Sequence, residues 1–341
     1  MGNSGSKRKV IKMKAIVYTE YGPPEVLQLK EIEQPTPNDN EVSVKVHAAS
    51  VNSYDWRLLN ADPFLVRLMG GGLLKPKNKI LGADMAGRVE AVGRNVKHFQ
   101  PGDDVFGDLA RCGCGGFAEY VCARENALVS KPASVTFEEA AALPMAAVTA
   151  LQGLRDKGQI QPGQRVLING ASGGVGTFAV QIAKSFGAEV TAVCSTRNLD
   201  MARSIGADRV IDYTQEDFTM NGQHYDLILA ANGYHPILDY KRALSPKGIY
   251  VMSGGSMTQM FQAILLGPWI SMTARKKMGA LSAKPNTKDL IFMNELLEAG
   301  KVRPVIDRRY PLSEVPEALR YLGEGHAKGK VVITLEHNNK T

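Results

Sequence analysis

One stretch limits the fold of this chain more than any other. The residues Leu167-Ile168-Asn169-Gly170-Ala171-Ser172-Gly173-Gly174-Val175-Gly176 close an apolar run at 165–169 and open a helical pattern over 174–186. A strand, a glycine-rich turn and a helix in that order make the cradle for a dinucleotide pyrophosphate. The glycines permit a tight turn and close approach, and the unpaired N–H groups at the helix start face the anion. The stretch that follows fits this context: strands at 189–194, 209–212, 226–230 and 248–252, with a helix at 199–205. Strands that alternate with helices and are apolar throughout predict a parallel sheet covered on both faces, the doubly wound Rossmann arrangement.

A chain of 341 residues is too long for one ordinary core, and the region before the turn differs in character. Val42, Val44 and Val46 alternate with Glu41, Ser43, Lys45 and His47, the pattern of a half-buried strand. Short strands punctuated by glycine continue to about Val129, with short helices expected at 53–59 and 64–69. Past Lys284 the pattern predicts a helix over 289–299 and a last strand over 330–335, packed back onto the first domain. The fold class is therefore α/β, with a β-rich domain over 13–135 and 283–341, a Rossmann domain over 136–282, and a disordered basic tail over 1–12.

The charge is concentrated at the start of the chain. Of the net charge of +7, five positive charges (Lys7, Arg8, Lys9, Lys12 and Lys14) lie in the first 14 residues, and +2 remains for the rest. That leaves no electrostatic case for nucleic acid. No apolar stretch reaches membrane-span length, so stable membrane insertion is not expected. Four cysteines and no secretory signal predict a cytoplasmic protein with free thiols. The start, Met1-Gly2-Asn3-Ser4-Gly5-Ser6, fits a myristoylation pattern that would add membrane association; a solvated polar tail is the preferred reading.

The strand after the turn bears on cofactor choice. It ends in Ser195-Thr196-Arg197, with no acidic residue before Asp200 to bind ribose hydroxyls. Two hydroxyls and a guanidinium suit a 2′-phosphate, which selects NADPH. Ser172, Gly173, Gly174, Val175 and Gly176 would hold the pyrophosphate.

Further motifs carry a resemblance: Val51-Asn52-Ser53-Tyr54-Asp55, Gly82-Ala83-Asp84-Met85-Ala86-Gly87-Arg88-Val89, Pro101-Gly102-Asp103-Asp104-Val105, Gly115-Gly116-Phe117-Ala118-Glu119-Tyr120, Ala140-Ala141-Ala142-Leu143-Pro144 and Gly325-His326-Ala327-Lys328-Gly329-Lys330-Val331-Val332. In this order, over residues 13 to 335, the chain resembles the quinone oxidoreductase and enone reductase branch of the medium-chain dehydrogenase/reductase superfamily. The resemblance implies a GroES-like catalytic domain built from both chain ends, an inserted Rossmann domain, and an active site in the cleft between them. It implies that Asn52 and Thr149 lie near the nicotinamide and that Tyr213 contacts the adenosine phosphate end. Ala231, Asn232, Ser253 and Gly254 would line the nicotinamide side, and Lys330 would place a charge near the cofactor. It also suggests a homodimer through the Rossmann edge strand.

Zinc enzymes of that superfamily place ligands at positions matching Asn52, Ala83 and Met145, which supply no Cys or His here, and Cys112-Gly113-Cys114 has poor spacing for tetrahedral zinc. No metal is expected. Hydride addition to an enone or quinone forms an enolate or phenolate, more stable than an alkoxide by about 7 kcal/mol. A few hydrogen bonds, with Tyr54 or Asn52 as catalytic donors, could then replace a metal. The expected function is NADPH-dependent reduction of quinones, enones or alkenals. The alternatives are a zinc-free alcohol dehydrogenase and a non-enzymatic NADPH-binding scaffold at a membrane surface. Asp55 and Asp84 are expected to be structural carboxylates without an acidic neighbour. The apolar segment 257–278 is expected to pack between domains or in a dimer, with a substrate mouth as the alternative.

Overall fold

The computed structural model describes residues 11–64, 66–68 and 72–336. The basic residues before position 11 and the myristoylation pattern lie outside the described residues, as does part of the helix expected at 64–69.

In the first half, β1 (Lys12–Val17) and β2 (Gln28–Glu33) form an antiparallel pair. The first strand begins at Lys12, within the stretch expected to be tail, because Lys12 pairs with Glu33. Then come β3 (Glu41–Val51), α1 (Ser53–Asn60), β4 (Asp84–Val92), β5 (Asp104–Asp108), β6 (Tyr120–Arg124) and β7 (Leu128–Ser130). Val42, Val44 and Val46 point into the core as the alternation predicts, but Ser43 is also buried. Two strands, β4 and β6, pair with β3 along that stretch, so it is covered more fully than an ordinary half-exposed strand.

Two helices lead into the second half: α2 (Phe137–Ala141) and α3 (Pro144–Leu151). Thr136 caps α2 by accepting from the Glu139 N–H, while the Glu139 carboxylate accepts from the Thr136 N–H. That exchange satisfies two donors a helix start would otherwise leave open. Although expected in the second domain, α2 packs on β3 and β4 of the first sheet.

The second half runs β8 (Arg165–Asn169), α4 (Gly174–Ser185), β9 (Glu189–Cys194), α5 (Leu199–Ser204), β10 (Arg209–Asp212), β11 (Tyr225–Ala230), α6 (Ile237–Ala243), β12 (Leu244–Met252), α7 (Met257–Thr273) and β13 (Lys277–Ala280). These six strands form one parallel sheet in the order β10-β9-β8-β11-β12-β13. The order reverses direction between β8 and β11. Loops leaving the carboxyl ends of those two strands therefore diverge to opposite faces and open a crevice, the usual ligand position in such sheets. The strand cores (Leu167, Ile168, Val190, Ala192, Leu227, Leu229 and Val251) are fully buried.

The chain closes with α8 (Thr287–Glu298), β14 (Ile306–Pro311), α9 (Val315–Gly323) and β15 (Lys330–Thr334). Here β15 pairs antiparallel with β3, Val331 opposite Val51, and completes the sheet β14-β15-β3-β4-β5-β7. The structure is thus a mixed α/β fold, a β-rich GroES-like part joined to a Rossmann-like parallel sheet.

The α2 cap is testable. Thr136→Ala should lower unfolding free energy by about 1 kcal/mol in denaturant titrations, and Thr136→Ser should lose little.

Candidate functional site

The site is built on the turn after β8. Gly170 has φ of +79°, a left-handed conformation that favours glycine. A Cβ at Gly176 would collide with the Gly170 carbonyl, so only glycine lets α4 sit this close to the strand. Gly173 is the N-cap of α4 and brings no side chain to the first-turn N–H groups. Gly174, Val175 and Gly176 therefore present an uncapped helix start, which fits a pyrophosphate. Ser172 and Gly173 lie against the chain leading into β15: the Gly329 N–H donates to the Ser172 carbonyl at 2.8 Å.

Two further loops crowd the same crevice. The Ala231 and Asn232 N–H groups donate to the Asn169 carbonyl, and those of Ser253 and Gly254 donate to the Ala230 carbonyl. A side chain on Gly254 would strike the Ala231 backbone. The loops after β8, β11 and β12 thus stack backbone on backbone.

Ser195, Thr196, Arg197 and Tyr213 gather at the ends of β9 and β10, with Tyr213 60% exposed. The Thr196 hydroxyl donates to Asp212 at 2.5 Å, and Thr214 donates to the same carboxylate through both its hydroxyl and its N–H. These bonds, that of Thr196 foremost, hold the Asp212 carboxyl below the usual range. Sequence reasoning missed this acid because it stands on the neighbouring strand, β10. Ser195 accepts from Asn198 and keeps its own proton to donate. Arg197 is exposed and donates to the His326 carbonyl at 3.3 Å.

At the opposite wall, Asn52 precedes α1 and is 7% exposed. Its Nδ2 donates to Asp84 at 3.0 Å and to the Ser50 carbonyl at 3.4 Å, and its Oδ1 accepts from Lys330 Nζ at 2.5 Å. Asp84 also accepts from the Ser50 hydroxyl and the Met145 N–H. Lys330 and Asp84 lie 3.5 Å apart with side chains 3% and 0% exposed. Asp55 accepts from the N–H groups of Asn52, Gly82 and Ala83. Thr149 stands one turn after Met145 on α3, half-buried beside this network.

The electrostatics follow from burial. Loss of water pushes the Asp55 carboxyl up to about 7, against the pull of the Asn52 N–H. Asp108 is pushed up to about 7, first by burial and then by the charge of Asp84. Burial raises Asp84 and lowers Lys330, each partly opposed by the other's charge. The expectation that Asp55 and Asp84 lack an acidic neighbour is therefore corrected. Asp84 faces Asp108 across β4 and β5, a register the sequence alone does not reveal. Tyr54, half-buried on α1, has its hydroxyl raised well above the ordinary range by burial, with Cys114, Asp55 and Asp108 adding to it. It stays a donor at all ordinary pH and has no hydrogen bond among the described residues.

Comparisons with known proteins agree with this architecture. Residues 38–133 match the alcohol dehydrogenase GroES-like domain, and residues 205–333 match a zinc-binding dehydrogenase family. The chain is 37% identical over 335 residues to the chloroplast envelope quinone oxidoreductase homolog of Arabidopsis thaliana, covering 94% of this chain and 98% of that protein. It belongs to the quinone oxidoreductase branch of the medium-chain dehydrogenase/reductase superfamily. The 2-methylene-furan-3-one reductase of Solanum lycopersicum is 34% identical, over 94% of this chain and 79% of that one. The structure of the quinone oxidoreductase from Coxiella burnetii superposes with a TM-score of 0.84 at 31% identity, covering 96% of this chain and all of that one.

The second family description speaks of zinc, and the residues of this chain do not fit the ion. The Asn52 amide is bound to Asp84 and Lys330, Ala83 has no donor side chain, and Met145 offers only a thioether. Cys112, Cys114 and Cys122 are free thiols, with burial raising Cys122 to about 11 and Cys114 higher still. Among the described residues, no group of three or more His, Cys, Asp or Glu side chains could hold a metal.

The raised acid makes a pH-dependent prediction. Asp108 binds its proton more tightly folded than unfolded, so its contribution is fully present below the unfolded value near 4 and is lost as pH rises to about 7. Asp108→Asn can keep the bond from the Ala110 N–H while removing the ionisation. Its stability relative to wild type should grow between pH 4 and 7 and level off above, reaching on the order of 4 kcal/mol in denaturant titrations. A constant difference across that range would rule out the buried titration.

Proposed function

We propose that this protein is an NADPH-dependent, zinc-free reductase of quinones or of the carbon–carbon double bond of α,β-unsaturated carbonyls. The observation that carries the reading is the inner wall of the crevice. An amide, a carboxylate and an ammonium bond one another there, and Asn52, Ala83 and Met145 offer no Cys or His ligand for zinc. No helix among the described residues is long and apolar enough to cross a membrane.

Bound NADPH would supply the hydride. The chain's own residues bind, orient and protonate. Gly173, Gly174, Val175 and Gly176 receive the pyrophosphate, and Thr149, Ala231, Asn232, Ser253 and Gly254 border the ring. Hydride addition to the far carbon of an enone, or to a quinone, leaves charge on an enolate or phenolate oxygen. Tyr54 is the donor left free to meet it, because both N–H bonds of Asn52 already have acceptors. Ser195 and Arg197 favour the 2′-phosphate, while Thr196 is committed to Asp212.

The same reading includes a homodimer. At the sheet margin β13 has a partner on one side only among the described residues, and the outward face of α7 beside it exposes Phe261, Leu265, Trp269 and Met272, at 54, 69, 63 and 86%. An open strand edge flanked by an apolar helix face suits a second copy of the chain. Leu265→Lys with Trp269→Glu should convert a dimer to a monomer in sedimentation velocity, whereas an unchanged species would remove this face from the interface.

The decisive assay is NADPH oxidation with a linear enone, an alkenal, a quinone and a matching saturated ketone. We expect turnover of the first three and little of the ketone. Tyr54→Phe should lower kcat roughly 10–100-fold. Arg197→Ala should raise the KM for NADPH about tenfold with little effect on NADH. Tight NADPH binding without turnover of any compound would favour a scaffold instead.

A further inference from the structure

Lys330 is the first residue of β15 and is 3% exposed, an unusual place for an ammonium. Its stem passes the dinucleotide turn closely: a Cβ on Gly174 would stand 3.2 Å from Lys330 Cδ. The ammonium, however, does not stop at the turn. It continues to Asn52 Oδ1 at 2.5 Å, with the Val51 carbonyl and Asp84 Oδ2 each at 3.5 Å.

That geometry dictates how Asn52 is oriented. An ammonium only donates and a carboxylate only accepts, so an amide held between them must turn its oxygen to Lys330 and its nitrogen to Asp84. Asp84 fixes the nitrogen end of the amide, and Lys330 is the donor that holds its oxygen end in place. Asn52 is in turn the residue from which α1 starts: its N–H donates to Asp55, and Tyr54 lies between them in the first turn. Tilting Asn52 therefore tilts the helix start that carries Tyr54.

We propose that Lys330 is a positioning residue of the reductase site: its ammonium sets the orientation of the Asn52 carboxamide, and through it the first turn of α1 and Tyr54, rather than gripping the dinucleotide phosphates. The proposal rests on the reductase reading above. It assigns Lys330 a role distinct from the cofactor contact that the sequence resemblance implied.

The test compares wild type with Lys330→Met, which fills the same space without donors, and Lys330→Gln, which can still donate to Asn52 Oδ1. NADPH affinity is read by nucleotide fluorescence, and kcat at saturating NADPH with the best substrate of the panel. Lys330→Met should lose about tenfold or more in kcat, with an NADPH Kd within about threefold of wild type; Lys330→Gln should recover most of the loss. If Lys330→Met does not fold, Lys330→Met with Asp84→Asn removes the base together with its acid, and the same constants are read. A raised NADPH Kd with unchanged kcat would make Lys330 a phosphate contact and overturn the proposal. So would unchanged constants in both variants, or a Gln variant as slow as the Met one. Wild type inert toward the whole panel sinks the reductase reading and this inference together. An active wild type with an equally active Lys330→Met sinks the inference alone.

Discussion

The pairing of β15 with β3 is the constraint on which the site depends. It brings the end of the chain beside a strand nearly 280 residues earlier and sets Val331 opposite Val51. Lys330 consequently meets Asn52, and Gly329 meets the turn at Ser172. One strand thus joins the β-rich sheet, the Asn52 amide and the glycine-rich turn. A buried ammonium and carboxylate are costly to desolvate, and their attraction offsets that cost only when the remaining donors and acceptors are filled. Asp84 meets the condition with bonds from Ser50, Asn52 and Met145. The network thereby offsets its desolvation cost while holding the Asn52 amide between Asp84 and Lys330.

Much of the second half was legible in the sequence because its strands are short apolar runs followed by amphipathic helices. The strands β8, β9 and β10 stand where the pattern predicts, and α4 opens at Gly174. The helix α7 was not recognised as one. It is apolar on its exposed side as well as its buried one, which erases the amphipathic signal, and Pro268 interrupts it. Its uniform apolarity makes physical sense if a second surface covers the outer face.

The motifs name the residues of the candidate site, but not their interactions. Motifs pointed to Asn52, Tyr54, Thr149 and Lys330, while the facing of Asp84 and Asp108 depends on strand register. The burial of Lys330 depends on a contact between distant parts of the chain. Composition and spacing carry no record of either. The same holds for Asp212, which reaches Thr196 only because β10 lies parallel to β9 at the edge of the sheet.

Asp212 changes the argument about cofactor choice without reversing it. A carboxylate beside the adenosine ribose would ordinarily bind its hydroxyls and repel a phosphate. This one is already occupied: Thr196 and Thr214 supply three donors to its two oxygens. Its capacity to take ribose hydroxyls is reduced, and at an exposed position its charge is screened by solvent. Arg197, by contrast, has one long bond to a backbone carbonyl and a guanidinium otherwise open to solvent. Phosphate can take that guanidinium through two parallel hydrogen bonds, which a ribose hydroxyl cannot. The balance of free donors over free acceptors at the ends of β9 and β10 therefore supports the NADPH dependence proposed above.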